Sequence, residues 1–391
     1  MTRLSRRGGG LSESVTLAVD ARAKALRARG ERVIGFGIGE PDFDTPEHVK
    51  QAARVALLGR IGFYTPVAGT MELREAVAAT FRRDGVETTP ARVVVSCGAK
   101  HAIYNALMVL VDDGDEVVIP APYWVSYPSM VQAAGGVPVH VDTAPDRFVL
   151  TPARLEAAIT PRTKVVVVNS PGNPSGVTCS RAQLAALGEV LARRPGIAIL
   201  SDEIYQHLVY DGAAFCAFAA ACPALADRTV TVSGVSKSFA MTGWRIGYAT
   251  GPADVVDAMI RFQSHATSNP TAIAQAAALA ALTGPTDSVE SMRRTFDRRR
   301  RLMSDRLASI PGVTLQRPNG AFYCFPDVTA LLGARRGATT LAFTENLLER
   351  ERVACVPGEA FGSPGHIRLS YACSDEDIEE GCARIRRFVV D

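Results

Sequence analysis

Apolar residues recur with a helical period over residues 15–29 (VTLAVDARAKALRAR), a run that stops at Gly30, and again over Met71–Arg83 and residues 181–193. Between such stretches stand short, mostly apolar runs: Arg92–Ser96 (RVVVS), Asp115–Pro120, Lys164–Val168 (KVVVV), Ile197–Leu200 and Thr229–Ser233. Runs of this kind suit strands of a parallel sheet covered on both faces. Their alternation with helices, one of them spanning His101–Leu110, predicts a doubly wound α/β sheet with right-handed crossovers. A second apolar run, Ile246–Thr250, follows closely on Thr229–Ser233. Earlier, a short strand at Val33–Phe36 leads into the loop GIGEPDFDTPEHV, where Thr45-Pro46-Glu47 starts a helix.

Beyond residue 252 the pattern changes. A helix-rich stretch, Ala253–Ala281, is interrupted at Ser268-Asn269-Pro270, and a long basic helix is expected over Glu290–Ser309. Its run Arg298–Arg301 reads as a solvated face rather than a nucleic-acid patch. Short strands at Gly320–Phe325, Val353–Val356 and Ile367–Tyr371 then alternate with helices over 338–350 and 375–389, which predicts a smaller α+β domain.

Composition narrows the function classes. The 391 residues suffice for a large core and two domains, and 47% hydrophobic with 21% charged residues is ordinary for a globular chain. A net charge of +3 gives no reason to expect nucleic acid or a membrane surface as partner. Met1–Gly10 is basic, but Glu13, Asp20 and Arg22 break up Leu11–Ala25, so no signal-peptide core or membrane span is expected. The eight cysteines form no CxxC pair. They read as reduced cysteines of a cytoplasmic protein, with no metal site.

One use of charge stands out. Only five of the 43 Lys and Arg residues are lysines (Lys24, Lys50, Lys100, Lys164, Lys237), yet Lys237 occupies a mostly uncharged small-residue turn, SKSFAMTGWR. It is either a solvated turn lysine or an amine nucleophile, a role arginine cannot take because it keeps its proton. Arg245, eight residues on, would then clamp a phosphate. Cys97-Gly98-Ala99-Lys100 joins a strand to a helix, a geometry that aims free N–H groups at an anion. It matches neither a Walker A loop nor G-x-G-x-x-G. Other positions have two readings each. Gly39 is a turn glycine or a place where ligand meets main chain, and Tyr64 is a packing residue or a site tyrosine reaching a partner subunit. Trp124 is a core residue at a helix start or a flat face for a ring. Asn173 is turn chemistry or a donor to a ligand, Asp202 a helix cap or a strand-tip ligand group. Arg368, within the strand HIRLSY, faces solvent or holds a carboxylate bidentately.

Nine stretches occur in a fixed order: GEPDFDTPEHV, CGAKHA, PAPYWVSYPSM, NSPGNPSG, SDEIYQHLVY, SKSFAMTGWRIGY, SNPTAIAQ, GAFYCFPD and IRLSYA. Together, from about residue 11 to residue 389, they resemble the fold-type I pyridoxal-phosphate enzymes, in particular class I aminotransferases of the bacterial aspartate type. The resemblance implies a large domain (46–288) with a seven-stranded, mostly parallel sheet. It also implies a small domain built from both termini (289–391, with 1–45 as an arm and part of that domain). It implies pyridoxal 5′-phosphate as cofactor, held by Lys237 as a Schiff base. Asp202 would pair with the ring nitrogen, Tyr205 and Asn173 with the 3′ oxygen. Trp124 would stack on one face of the ring and Ile204 on the other. Gly98, Ala99, Ser236 and Arg245 would surround the phosphate, joined by Tyr64 of a neighbouring subunit, so a homodimer is expected. Arg368 and Gly39 would take the substrate's α-carboxylate, and Lys100 a distal carboxylate. The implied reaction is ping-pong transfer of an amino group between an acidic amino acid and a 2-oxo acid. Aromatic or prephenate transamination, and elimination or replacement chemistry, are the alternatives. Gly234 stands where the wider family often has a serine, so one phosphate donor is absent.

Overall fold

The computed structural model describes residues 4–10 and 15–390. The parts of the expected amino-terminal arm at 1–3 and 11–14 lie outside the described residues. The large sheet is built from β1 (Val93–Ser96), β2 (Glu116–Ala121), β3 (Val137–Asp142), β4 (Thr163–Asn169), β5 (Ala198–Asp202), β6 (Thr229–Gly234) and β7 (Gly247–Thr250). Its order is β1-β7-β6-β5-β4-β2-β3.

The apolar strands have the predicted reason for being apolar. In β4, Val165 and Val167 pack into one core with Ala102, Ile103 and Met259, while Val166 and Val168 pack into another with Leu184, Leu187 and Ile199. Side chains alternate across the pleat and both faces are covered by helices, so all four valines are buried. Each such valine contributes roughly 1.5–3 kcal/mol.

One strand departs from the parallel arrangement, and another lay outside the apolar pattern. β7 runs antiparallel to both β1 and β6. Residues 235–246 between β6 and β7 form turns and the short 3-10 helix Thr242–Trp244. No crossover helix carries the chain back, so it returns in the opposite direction. The edge strand β3 escaped the pattern because its sequence, VPVHVD, is largely exposed or half-buried.

The carboxyl-terminal part holds a three-stranded sheet: Tyr323–Cys324 and Val356–Pro357 flank Ile367–Ser370. The expected single strand Val353–Val356 is two. Val353–Ala354 pairs in parallel with Ile34–Gly35, and Val356–Pro357 pairs antiparallel with Ile367–Arg368. Buried Cys355 lies between them, where the chain changes partner.

The long helix spans Asp287–Ala308, and its arginine run is not simply solvated. Arg298 and Arg301 are exposed, but Arg299 and Arg300 are buried. They share the inward face with Phe296 and Met303. Arg299 donates to Asp42 at 2.8 Å. Arg300 binds Asp211 through two nitrogens (2.6 and 2.7 Å) and Asp297 (2.7 Å). Among the described residues, no helix is long and apolar enough to cross a membrane.

Candidate active site

A cleft of about 530 Å³ lies at the carboxyl ends of β4, β5 and β6. Asn169 closes β4, Asp202 closes β5, and Lys237 follows β6 by three residues. The cleft is lined by Gly39, Ala99, Lys100, Trp124, Asn173, Asp202, Ile204, Tyr205, Ser236, Lys237, Arg245 and Arg368, so most of the candidate positions meet in one place. Gly98 and Tyr64 are outside that lining. Tyr64 is 90% exposed, which suits a side chain expected to act outside its own chain.

Lys237 donates from Nζ to the carbonyl of Gly39 at 2.7 Å. Burial pushes its amine down to about 8, aided by Arg245 and Arg368 and opposed by Glu40 and Asp202. Asp202 is buried. Tyr127 donates its hydroxyl to Oδ2 at 2.6 Å, and the Ile204 N–H donates to Oδ1 at 3.3 Å. Burial still raises its carboxyl pKa, against those hydrogen bonds and nearby Lys237.

Gly98 takes φ 90° and begins the helix Ala99–Leu110, two residues earlier than expected. A Cβ on Gly98 would lie 2.4 Å from Nη2 of Arg245. Gly247 in β7 is as tightly constrained, since a Cβ there would lie 2.0 Å from the Ala99 nitrogen. Two bare glycines thus let the helix start, with its free N–H groups, approach both strand and arginine. Arg245 itself adopts φ 57° and is held by the carbonyls of Thr242 (2.9 Å) and Cys97 (3.2 Å). At Gly234 a Cβ would meet backbone, with Gly247 Cα and the Ile246 carbonyl both at 3.0 Å, so a serine fits only if that backbone gives slightly.

Arg368 is 2% exposed. Nη1 donates to Asn173 Oδ1 at 3.1 Å and Nη2 to the Gly37 carbonyl at 2.7 Å, while Nε has no partner. Its guanidinium lies over the rings of Tyr323 (4.6 Å) and Phe361 (5.0 Å). No carboxylate pairs with it among the described residues. Lys100 Nζ stands 5.1 Å over the Trp124 ring.

Sequence reasoning missed Tyr127, Tyr323, Glu40 and Asn169. Tyr323 bridges two candidate positions: its hydroxyl is 2.9 Å from that of Tyr205, and its ring underlies Arg368. Tyr127 follows Trp124 by three residues at a helix start, and that spacing was the available signal.

Beside Asp202, but outside the cleft lining, Glu203 accepts from Ser201 Oγ (2.7 Å) and the Phe218 N–H (2.9 Å), both at Oε1. Burial lifts its carboxyl to about 8. From the ordinary 4.5 up to about 8, the folded chain keeps a proton that the unfolded chain has lost. Stability therefore falls as pH rises through that window, by up to about 1.4 kcal/mol per unit. Glu203→Gln preserves both hydrogen bonds and removes the titration. Its melting temperature is expected to exceed wild type at pH 8 by more than at pH 5, read by calorimetry.

The fold and the cleft are those of a transferase. The chain belongs to the class I and II aminotransferase family, whose sequence profile matches residues 31–385. It is 49% identical to the aspartate aminotransferase of Geobacillus stearothermophilus over 99% of both chains. It is 50% identical to an aspartate/prephenate aminotransferase of Cereibacter sphaeroides over 96% of both. The solved aspartate aminotransferase of Rhizobium meliloti superposes with a TM-score of 0.96 at 44% identity, covering 100% of this chain and 99% of that one. For the Thermus thermophilus aspartate aminotransferase with maleate the values are 0.93 and 45%, covering 99% and 100%.

Proposed function

We propose that the protein transfers an amino group between aspartate or glutamate and a 2-oxo acid by a ping-pong route, with pyridoxal 5′-phosphate held by Lys237. The observation that carries this reading is Arg368: a buried cation lining the same cleft as Lys237, with an unpartnered Nε and no carboxylate partner among the described residues. Such a group is an anion receptor awaiting a ligand. The names of the relatives, aspartate or aspartate/prephenate aminotransferase, support it.

The residues present fit the cofactor. Asp202, buried at a strand tip with its oxygens already hydrogen-bonded, suits a protonated ring nitrogen. Tyr205 and Asn173 would hold the ring's 3′ oxygen, and Trp124 and Ile204 its faces. Ala99, Ser236 and Arg245 would take the phosphate, with Gly98 leaving room for the arginine. When bound, the cofactor supplies an electron sink for charge that develops at the substrate's Cα. Arg368 grips the α-carboxylate and so fixes the direction of the Cα–H bond. Gly39 lets substrate approach, because a Cβ there would lie 2.9 Å from the Tyr323 hydroxyl. Lys100 on Trp124 offers a cation to a distal carboxylate. The Lys237 amine, with its pKa near 8, takes and returns the Cα proton.

A homodimer completes the proposal. Val55, Leu57, Leu58, Phe63, Tyr64 and Met71 are exposed within one short stretch, an apolar surface suited to a second copy. Tyr64 would reach the neighbour's cofactor phosphate. The free cysteines support a cytoplasmic setting.

A half-reaction screen tests the substrate. Loaded enzyme is mixed with single amino acids, and the cofactor's visible absorbance and 2-oxo acid formation are followed. Aspartate and glutamate are expected to respond fastest, and prephenate belongs among the acceptors tried in the second half. A response confined to aromatic amino acids, or release of ammonia with an elimination product, would contradict the proposal.

A further inference from the structure

Two buried glutamines hold the loop that carries Tyr64. Gln263, in the helix Ala253–Ala266, satisfies all its bonding capacity with one amide. Its Nε2 donates to the carbonyls of Val67 and Val95, both at 2.9 Å. Its Oε1 accepts from Ser96 Oγ at 2.6 Å and Asn105 Nδ2 at 3.0 Å. Gln275 lies in the helix Ala272–Thr283, whose sequence AIAQAAALAALT is otherwise almost entirely alanine and leucine. It donates to Thr65 Oγ1 at 2.9 Å and the Pro270 carbonyl at 2.8 Å, and accepts the Thr70 N–H at 2.9 Å. An amide buried in so apolar a helix costs free energy unless its partners are met, and here they are.

The pair thus fixes residues 65, 67 and 70 from two helices, and neither glutamine lines the cleft. Tyr64 makes no hydrogen bond within its own chain among the described residues and is 90% exposed, so the placement of its loop main chain sets the region its hydroxyl can reach. Gln263 also binds Ser96, which immediately precedes the Cys97-Gly98-Ala99 turn. A single amide therefore joins the chain's own helix-start turn to the loop it extends outward.

We infer that Gln263 and Gln275 are positioning residues that set the Tyr64 loop at the cofactor phosphate of the neighbouring subunit. The inference rests on the dimeric reading of Tyr64 given above. It is tested by a double-mutant cycle on cofactor affinity, measured by dialysis and fluorescence on the full-length dimer. Tyr64→Phe and Gln275→Leu are each expected to raise the cofactor Kd about ten-fold. The double variant is expected to be no weaker than Tyr64→Phe alone. Effects that multiply mean a purely structural glutamine and overturn the inference, as does an unchanged Kd in Gln275→Leu beside a raised one in Tyr64→Phe. An unchanged Kd in Tyr64→Phe removes the reading of Tyr64 and the inference with it. Thr65→Val deletes the Gln275 contact from the loop side and supplies the same cycle should Gln275→Leu not fold.

Discussion

Lys237→Ala is expected to lower transamination by about 10⁴-fold or more while leaving the chain folded. The amine is asked to act twice, as the covalent anchor and as the group that moves the Cα proton. Lys100 shares the cleft but stands over Trp124. Lys237→Arg is expected to be equally inactive, because a guanidinium does not release its proton at working pH. Single-turnover mixing of each variant with aspartate checks both, and a variant keeping full turnover would remove the mechanism.

The same amine sets a pH dependence. Its pKa near 8 means that cofactor uptake by the empty protein rises with pH and is half-maximal near 8, since only the neutral amine attacks. Stability moves in the same direction. Between about 8 and 10.5 the unfolded chain holds a proton that the folded chain has released, so stability increases with pH across that window. Below it the buried ammonium is a constant burden, and Lys237→Met is expected to melt higher than wild type at pH 7, with a smaller difference at pH 10.

Arg368→Leu is expected to reduce kcat/KM for aspartate by about 10³-fold, the range for losing one member of a buried hydrogen-bonded charge pair. A dicarboxylate inhibitor should lose binding in parallel. In the absence of substrate the sign reverses. The wild-type guanidinium is buried without a carboxylate, and burial lowers its pKa, so replacing it by a similar-sized apolar group is expected to raise the melting temperature. Arg368→Lys keeps a charge but not the planar fork and should fall between the two in activity. If activity and stability fell together, Arg368 would be a structural strut rather than a ligand receptor.

How much of this was legible in the chain depended on distance. The strands covered on both faces announced themselves, since KVVVV is apolar for a reason that operates residue by residue. β3 did not, because an edge strand is under no such demand. The direction of β7 and the division at Cys355 depend on partners far away in sequence. The same holds at the site. Lys237, Asp202 and Arg368 could be singled out from their settings, and the fold brings them to one cleft. Tyr323 and Glu40 carry no local mark, since their surroundings exist only after folding. The burial of Arg299 and Arg300 was misread because a run of four arginines looks like surface until helical phase turns two of them inward.

The short parallel pairing of Ile34–Gly35 with Val353–Ala354 has a consequence for biosynthesis. The large sheet is encoded entirely between residues 93 and 250 and can begin to assemble on the ribosome. The carbonyls of Gly37 and Gly39, which hold Arg368 and Lys237, belong to a segment whose docking partner is translated more than 300 residues later. A nascent chain therefore carries Lys237 without the pieces that finish the cleft until Val353–Ala354 has been made, and reactivity is switched on only once they dock.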